Sequence, residues 1–133
     1  MNRILIISPP LAIDSYQSRW KDYVKQYNSK IMALVPKEKL VYGYGKEVLL
    51  KCSDSHNENF TLRTVKTTNL ANTRYMILNL VGLIKEFSPD VIFCIHEEGI
   101  PQLTQTIILK KIFFTDITYG FSILFNNNLY GYK

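Results

Sequence analysis

The sequence predicts a single α/β domain with a mainly parallel sheet, and three observations carry that prediction. Ile4-Leu5-Ile6-Ile7, Lys30-Ile31-Met32-Ala33-Leu34-Val35 and Val91-Ile92-Phe93-Cys94-Ile95 are apolar runs too short to be helices, as strands buried on both faces require. Between them lie stretches whose apolar residues recur with the period of an amphipathic helix. The length of 133 residues leaves room for one core, and a hydrophobic content of 47% is enough to build it.

Ser8-Pro9-Pro10 stops the first strand, and Asp14 or Ser15 can cap the helix that follows. Tyr16, Trp20, Tyr23, Val24 and Tyr27 share one face of that helix, while Gln17, Arg19, Lys21, Asp22 and Lys25 fill the other. An aromatic stripe at this spacing is a core face in most proteins, and a sugar-stacking surface in few. The second strand, closed by Pro36, completes a β-α-β unit with a right-handed crossover.

Residues 37–47 read as a mobile loop with exposed tyrosines. Its Gly43-Tyr44-Gly45-Lys46 invites a phosphate-loop reading, which fails because Leu40 and Glu47 stand where a glycine and a Ser or Thr are needed. Val48–Cys52 and Phe60–Val65 are predicted strands, the second a half-exposed edge, with the polar segment 53–59 between them. His56 in that segment, near Asp54 and Glu58, has the ordinary look of a solvated loop histidine.

Asn72 or Thr73 would cap a helix with Met76, Leu80, Leu83, Ile84 and Phe87 on one face, widened by Ile77 and Val81 and stopped before Pro89. The stretch from Ser88 to Gly99 then delivers His96, Glu97 and Glu98 to the end of the Val91–Ile95 strand. Strand ends of this kind are where α/β proteins bind ligands. A further helix begins near Ile100, with Leu103, Ile107 and Ile108, and Lys110-Lys111 at its C-terminal end complement the helix dipole.

After Ile112 the character changes. The segment 112–133 holds seven of the sixteen Phe and Tyr residues, and its only charged side chains are Asp116 and Lys133. Strands are expected at Ile112-Phe113-Phe114 and Phe121–Phe125, with the alternation of strand and helix ending there. The expected division is therefore residues 1–112 as the domain and 113–133 as an atypical aromatic and Asn-rich tail.

A net charge of +5 favours anionic partners, but the basic residues are scattered rather than interleaved with aromatics, which argues against a nucleic-acid groove. Two cysteines without Cys-x-x-Cys spacing argue against a zinc site or a disulfide framework and for a reducing compartment, so the expected location is the cytoplasm. The four aliphatics near the N-terminus are too few for a signal-peptide core, and no segment reaches the roughly 20 apolar residues of a membrane span.

Several features in one order resemble a known family. They are the first strand, Tyr16-Gln17-Ser18-Arg19-Trp20, Leu34-Val35-Pro36, Tyr42-Gly43-Tyr44-Gly45-Lys46-Glu47, Asn72-Thr73-Arg74-Tyr75, and Ser88-Pro89-Asp90-Val91-Ile92 through His96-Glu97-Glu98. Over residues 1–112 the chain resembles the N-terminal domain of family 4, or group 1, glycosyltransferases of the GT-B fold. The resemblance implies a Rossmann-like three-layer domain, incomplete at its C-terminus. It also implies the acceptor-binding half of an enzyme that moves a sugar from a nucleotide-sugar to a polysaccharide or lipid-linked acceptor, with the donor-binding domain missing.

The partners so implied are the nucleotide-sugar, the acceptor, and a C-terminal domain or partner chain. No cofactor and no metal is expected, and any membrane association is peripheral, at the inner face. On that footing His96, Glu97, Glu98, Arg74, Lys46 and Asp14 are candidate acceptor or sugar contacts, with no catalytic residue assigned, and the isolated chain is expected to lack activity.

Two departures from the family pattern bear on this. The segment Ser8–Asp14 has none of the glycines that let a backbone approach donor phosphates, and the family histidine matches His96 with a one-residue ambiguity, Phe93 occupying another position where the pattern has His. Adjacent carboxylates could hold His96 protonated near neutral pH, or Glu97 and Glu98 could simply complement the dipole of the next helix. A stand-alone flavodoxin-like module for an anionic ligand and a gene remnant without activity are the alternative readings.

Overall fold

The computed structural model describes residues 1–43, 46–68, 76–96, 101–113 and 116–123. Five parallel strands form the body of one sheet: β1 (Asn2–Ile7), β2 (Ser29–Pro36), β6 (Phe60–Val65), β7 (Val91–His96) and β8 (Thr118–Ile123). Two strands form a separate antiparallel hairpin, β3 (Glu38–Gly43) and β4 (Lys46–Lys51), and β5 (Ser55–Asn57) is a short antiparallel edge on the main sheet. The helices are α1 (Asp14–Gln26), α2 (Leu80–Phe87) and α3 (Pro101–Phe113).

The sheet order is β5-β6-β2-β1-β7-β8. Counted in chain order, the five parallel strands lie 3-2-1-4-5, which is the Rossmann-like order; the flavodoxin-like order would be 2-1-3-4-5. β1 is paired on both sides, with Ile4–Ile7 opposite Ile31–Leu34 on one and Val91–Cys94 on the other. Aliphatic side chains therefore serve on both faces, and Leu5, Ile6 and Ile7 are fully buried.

Alternate residues of these strands feed two cores. Ile6, Ile31, Ala33, Val35, Phe60 and Leu62 pack with Val24 of α1, and Trp20 joins from the margin. On the opposite face Leu5, Ile7, Leu34, Ile92 and Cys94 pack with Leu80, Leu83, Ile84 and Phe87 of α2, joined by Leu109 of α3. The crossover that steps from β1 to β2 thus lies on one face, and those that step the other way, to β7 and β8, lie on the other. Crossovers of a single hand require this.

Several expectations need correction. Residues 38–43 are a strand rather than a loop, paired with β4, which matches the expected Val48–Cys52 strand and starts two residues earlier; Leu40, Val41 and Tyr42 stand opposite Leu49, Val48 and Glu47. Two apolar triplets flanking a glycine-bearing stretch are a hairpin signal that the failed phosphate-loop comparison obscured; Tyr44 and Gly45 lie outside the described residues. β6 is not the edge, because Ser55–Asn57 of the polar segment covers it, and three exposed polar residues make a short edge that resists further pairing.

The second helix begins at Leu80, not before Met76. Ile77 is bridged to Thr67, Leu78 donates to the Lys66 carbonyl, and Asn79 takes a left-handed conformation at φ 58°, all incompatible with a helical turn there. The proposed caps Asn72 and Thr73 lie outside the described residues. Helix α1 starts at Asp14 itself, and its preceding residue Ile13 supplies no side-chain cap. Tyr16 and Tyr27 of the aromatic stripe are more than half exposed, whereas Gln17, assigned to the polar face, is buried.

At the C-terminal end of α3, Ile112 and Phe113 finish the helix instead of opening a strand. β8 then continues the alternation, pairing Val91–His96 with Thr118–Ile123. Gly120 is required opposite Phe93: a Cβ there would stand 2.7 Å from Cδ2 of that ring, which is itself held against Trp20 at 6.2 Å between centroids.

Gly120→Ala should therefore lower stability by about 1–3 kcal/mol in denaturant unfolding, the usual cost of forcing extra volume into packed surroundings. In a Phe93→Leu background the same change should cost less, because the offending ring carbon is gone.

Candidate functional site at the carboxyl end of the sheet

The order of the strands reverses between β1 and β7. From β1 the chain moves to β2 on one side, and it later returns to lay β7 on the other, so the connections leaving the two strands diverge. In open α/β sheets the crevice outside the carboxyl ends at such a reversal is the place where ligands bind.

β1 gives way there to a 3-10 turn, Pro9–Ala12. Ser8 is buried, and its N–H reaches the Leu34 carbonyl at 3.4 Å. Leu11 N–H closes the turn on the Ser8 carbonyl at 3.1 Å, and the buried Gln17 amide donates to the Leu11 carbonyl at 2.8 Å. A glutamine inside an aromatic helix face thus replaces the missing partner of a turn carbonyl. The turn forms without glycine, and the fixed φ of its two prolines suits it.

β7 runs further. Cys94 is the partner of Ile7, so Ile95 and His96 continue beyond the last residue of β1 while still paired to Ser122 and Ile123 of β8. His96 closes the strand at the rim of the reversal. Glu97 and Glu98 follow it directly in sequence but, like Arg74, lie outside the described residues. Lys46 is the first residue of β4, opposite Gly43, in the hairpin that leaves the carboxyl end of β2. Asp14 is exposed in the first turn of α1, where its carboxylate faces the Gln17 amide at 3.4 Å and complements the helix dipole. The fold thus puts the backbone of His96 and residue Asp14 at the same end of the sheet.

The hairpin is tied down by a residue that sequence reasoning left as a bystander. Asp54 accepts the Thr64 N–H and the Thr64 hydroxyl, both at 2.7 Å, and Cys52 N–H donates to the Lys37 carbonyl at 2.9 Å. The backbone hydrogen bond from Thr64, followed by that from its hydroxyl, holds the Asp54 carboxyl below the usual carboxylate range. An acid within a Ser-rich turn is a backbone-binding signal, legible in Ser53-Asp54-Ser55. His56 is engaged with the Thr61 hydroxyl at 2.7 Å.

Two open depressions flank β6. One, about 360 Å³, is lined by Asp54, Ser55, His56, Thr61, Leu62 and Arg63; the other, about 350 Å³, lies between Arg63–Lys66 and the start of α2. Arg63 is itself paired with Glu86 at 2.6 Å.

Deeper in the second core, the Cys94 thiol points to the Thr106 hydroxyl at 3.7 Å, and burial pushes both this thiol and the Tyr119 phenol up from their ordinary values. Neither is an acid near neutral pH. Among the described residues no group of three His, Cys, Asp or Glu side chains could hold a metal ion, and no helix is long and apolar enough to cross a membrane.

No protein-family model, curated protein or solved structure matches the chain.

A carboxyl with a depressed folded-state value stabilises the fold above its unfolded value and loses that contribution as the pH falls through the folded one. The stability difference between the natural chain and Asp54→Asn should accordingly stay constant from about pH 8 to pH 5 and shrink below about pH 4. A difference that grows on acidification would contradict the Asp54–Thr64 bonds.

Proposed function

We propose that this chain is the acceptor-binding half of a sugar transferase, holding a polysaccharide or lipid-linked acceptor while a nucleotide-sugar gives up its glycosyl group. The observation that supports this most is the reversal of strand order beside His96, the place in an open parallel sheet where a ligand meets strand ends and helix starts. The sequence around that place, Ser-Pro-Asp-Val-Ile through His-Glu-Glu, is also the part that most resembles a family 4 glycosyltransferase of the GT-B fold.

In this reading His96, Glu97 and Glu98 hydrogen-bond the acceptor's hydroxyls, and charged carboxylate acceptors bind them more strongly than neutral groups would. Lys46 and Arg74 are suited to the phosphate of a lipid-linked acceptor, which would draw the protein to the cytoplasmic face of a membrane without crossing it. Asp14 is the remaining candidate contact, from the first turn of α1. The glycine-free turn after β1 makes a poor cradle for donor phosphates, so the donor belongs to a second domain, on this polypeptide or a partner, and the domain alone is inactive.

A stand-alone module for an anionic ligand draws on a different observation. The helices α2 and α3 open from the same end of the sheet with no acidic residue in their first turns.

Saturation-transfer NMR on the 133-residue protein separates the two. Soluble oligosaccharides or a short-chain polyprenyl-phosphate sugar should show saturable binding that His96→Ala weakens about ten-fold, roughly the worth of one hydrogen bond. Nucleotide-sugars should show none. Tight mononucleotide binding that ignores His96 would replace this reading with the anionic-ligand module.

A further inference from the structure

Beside Ile77 a side chain takes the place of a neighbouring strand. The bridge between Thr67 and Ile77 is flanked by Thr68 N–H to the Met76 carbonyl at 3.0 Å and Leu78 N–H to the Lys66 carbonyl at 2.9 Å. In an antiparallel pair of this kind the central residues direct their own N–H and C=O outward, away from each other. Ile77 is buried, so its outward groups need partners.

Gln105 of α3 supplies both. The Ile77 N–H donates to Oε1 at 2.9 Å, and Nε2 donates to the Ile77 carbonyl at 2.7 Å. One planar amide thus reproduces the paired bonds of a strand neighbour, because a Gln side chain carries a donor and an acceptor side by side at a fixed separation.

What the amide joins matters more than the two bonds. Thr68 and Met76 are the neck of the β6–α2 connection, and the Met76 N–H also donates to the Thr68 hydroxyl at 2.9 Å. The chain between them carries Arg74. Gln105 stands in the second turn of α3, just after the connection that carries Glu97 and Glu98. Both connections leave the carboxyl end of the sheet, from β6 and β7, two strands that are not neighbours.

We propose that Gln105 is a clamp between two elements: it fixes the neck at Thr68, Met76 and Ile77 to the first turns of α3, so that a disturbance of one is transmitted to the other. The link is a property of the protein itself, and it stands or falls separately from the acceptor-binding reading.

The test needs no ligand. Backbone amide resonances of the 133-residue protein are recorded with Thr68→Val, which disturbs the neck from the side opposite Gln105, in three backgrounds: natural, Gln105→Met and Gln105→Glu. Met keeps the bulk of the side chain and the packing, and Glu keeps the acceptor for the Ile77 N–H. In the natural background the substitution should shift amides in the neck and through the first two turns of α3.

With Gln105→Met the neck amides should still shift while those of α3 fall to at most a third of that response, and Gln105→Glu should fall between. Amide exchange at Ile77 should quicken about ten-fold in Gln105→Met with the core strands unchanged, since one lost hydrogen bond is worth about a factor of ten. Equal transmission to α3 in all three backgrounds, or none in the natural one, would overturn the proposal. Should Gln105→Met not fold, Gln105→Glu alone decides, by whether its α3 response is reduced.

Discussion

Everything in this molecule depends on β1 being paired on both sides at once. A strand flanked by parallel neighbours has no free edge and no solvent face, so its side chains must be apolar in both directions, and Leu5, Ile6 and Ile7 meet that demand. The same position dictates the topology. A chain that starts in the middle of its sheet must build outward one way and then the other, and the helices fall on opposite faces as it does. The reversal of strand order between β1 and β7 is the consequence.

At the amino end of the sheet, β1 and β7 are tied firmly together. Asp90 accepts the Arg3 N–H at 2.8 Å and returns its own N–H to the Arg3 carbonyl at 2.8 Å. The Arg3 guanidinium reaches the Phe87 carbonyl at 2.7 Å and lies 4.7 Å over the Phe87 ring. Ser88, in a left-handed turn, ends α2 just ahead of Pro89. The Ser-Pro-Asp that introduces the central stretch is thus structural: it stops a helix and locks β7 to β1 before the strand runs on to His96.

The parts of the fold that were legible in the sequence are those decided by burial. Apolar runs of four to six residues could only be inner strands, and Pro36 and Pro89 marked where elements stop. What escaped was decided by hydrogen bonding over a distance. The α2 helix starts late because Ile77 is bonded to Gln105, 28 residues away, and nothing in the local pattern of Met76-Ile77 announces that. The helical pattern sets Gln17 toward solvent because glutamine is polar, yet it is buried on the Leu11 carbonyl of the preceding turn.

The hairpin was hidden for a different reason: its glycines suggested a loop, while its stability as strands comes from cross-strand pairs that no single segment displays. For the site, the strand end at His96 was readable from the apolar run before it. The other candidates, Glu97, Glu98 and Arg74, lie on separate connections outside the described residues.

The proposed place of ligand binding is the reversal between β1 and β7. It is tested most directly by mapping amide resonance changes while a soluble oligosaccharide acceptor is titrated into the ¹⁵N-labelled chain. Changes should concentrate at Ser8, Leu11 and Ile95–His96, with the amino-end lock at Arg3 and Asp90 unmoved. Changes confined to the depressions beside β6, around His56 and Lys66, would contradict it.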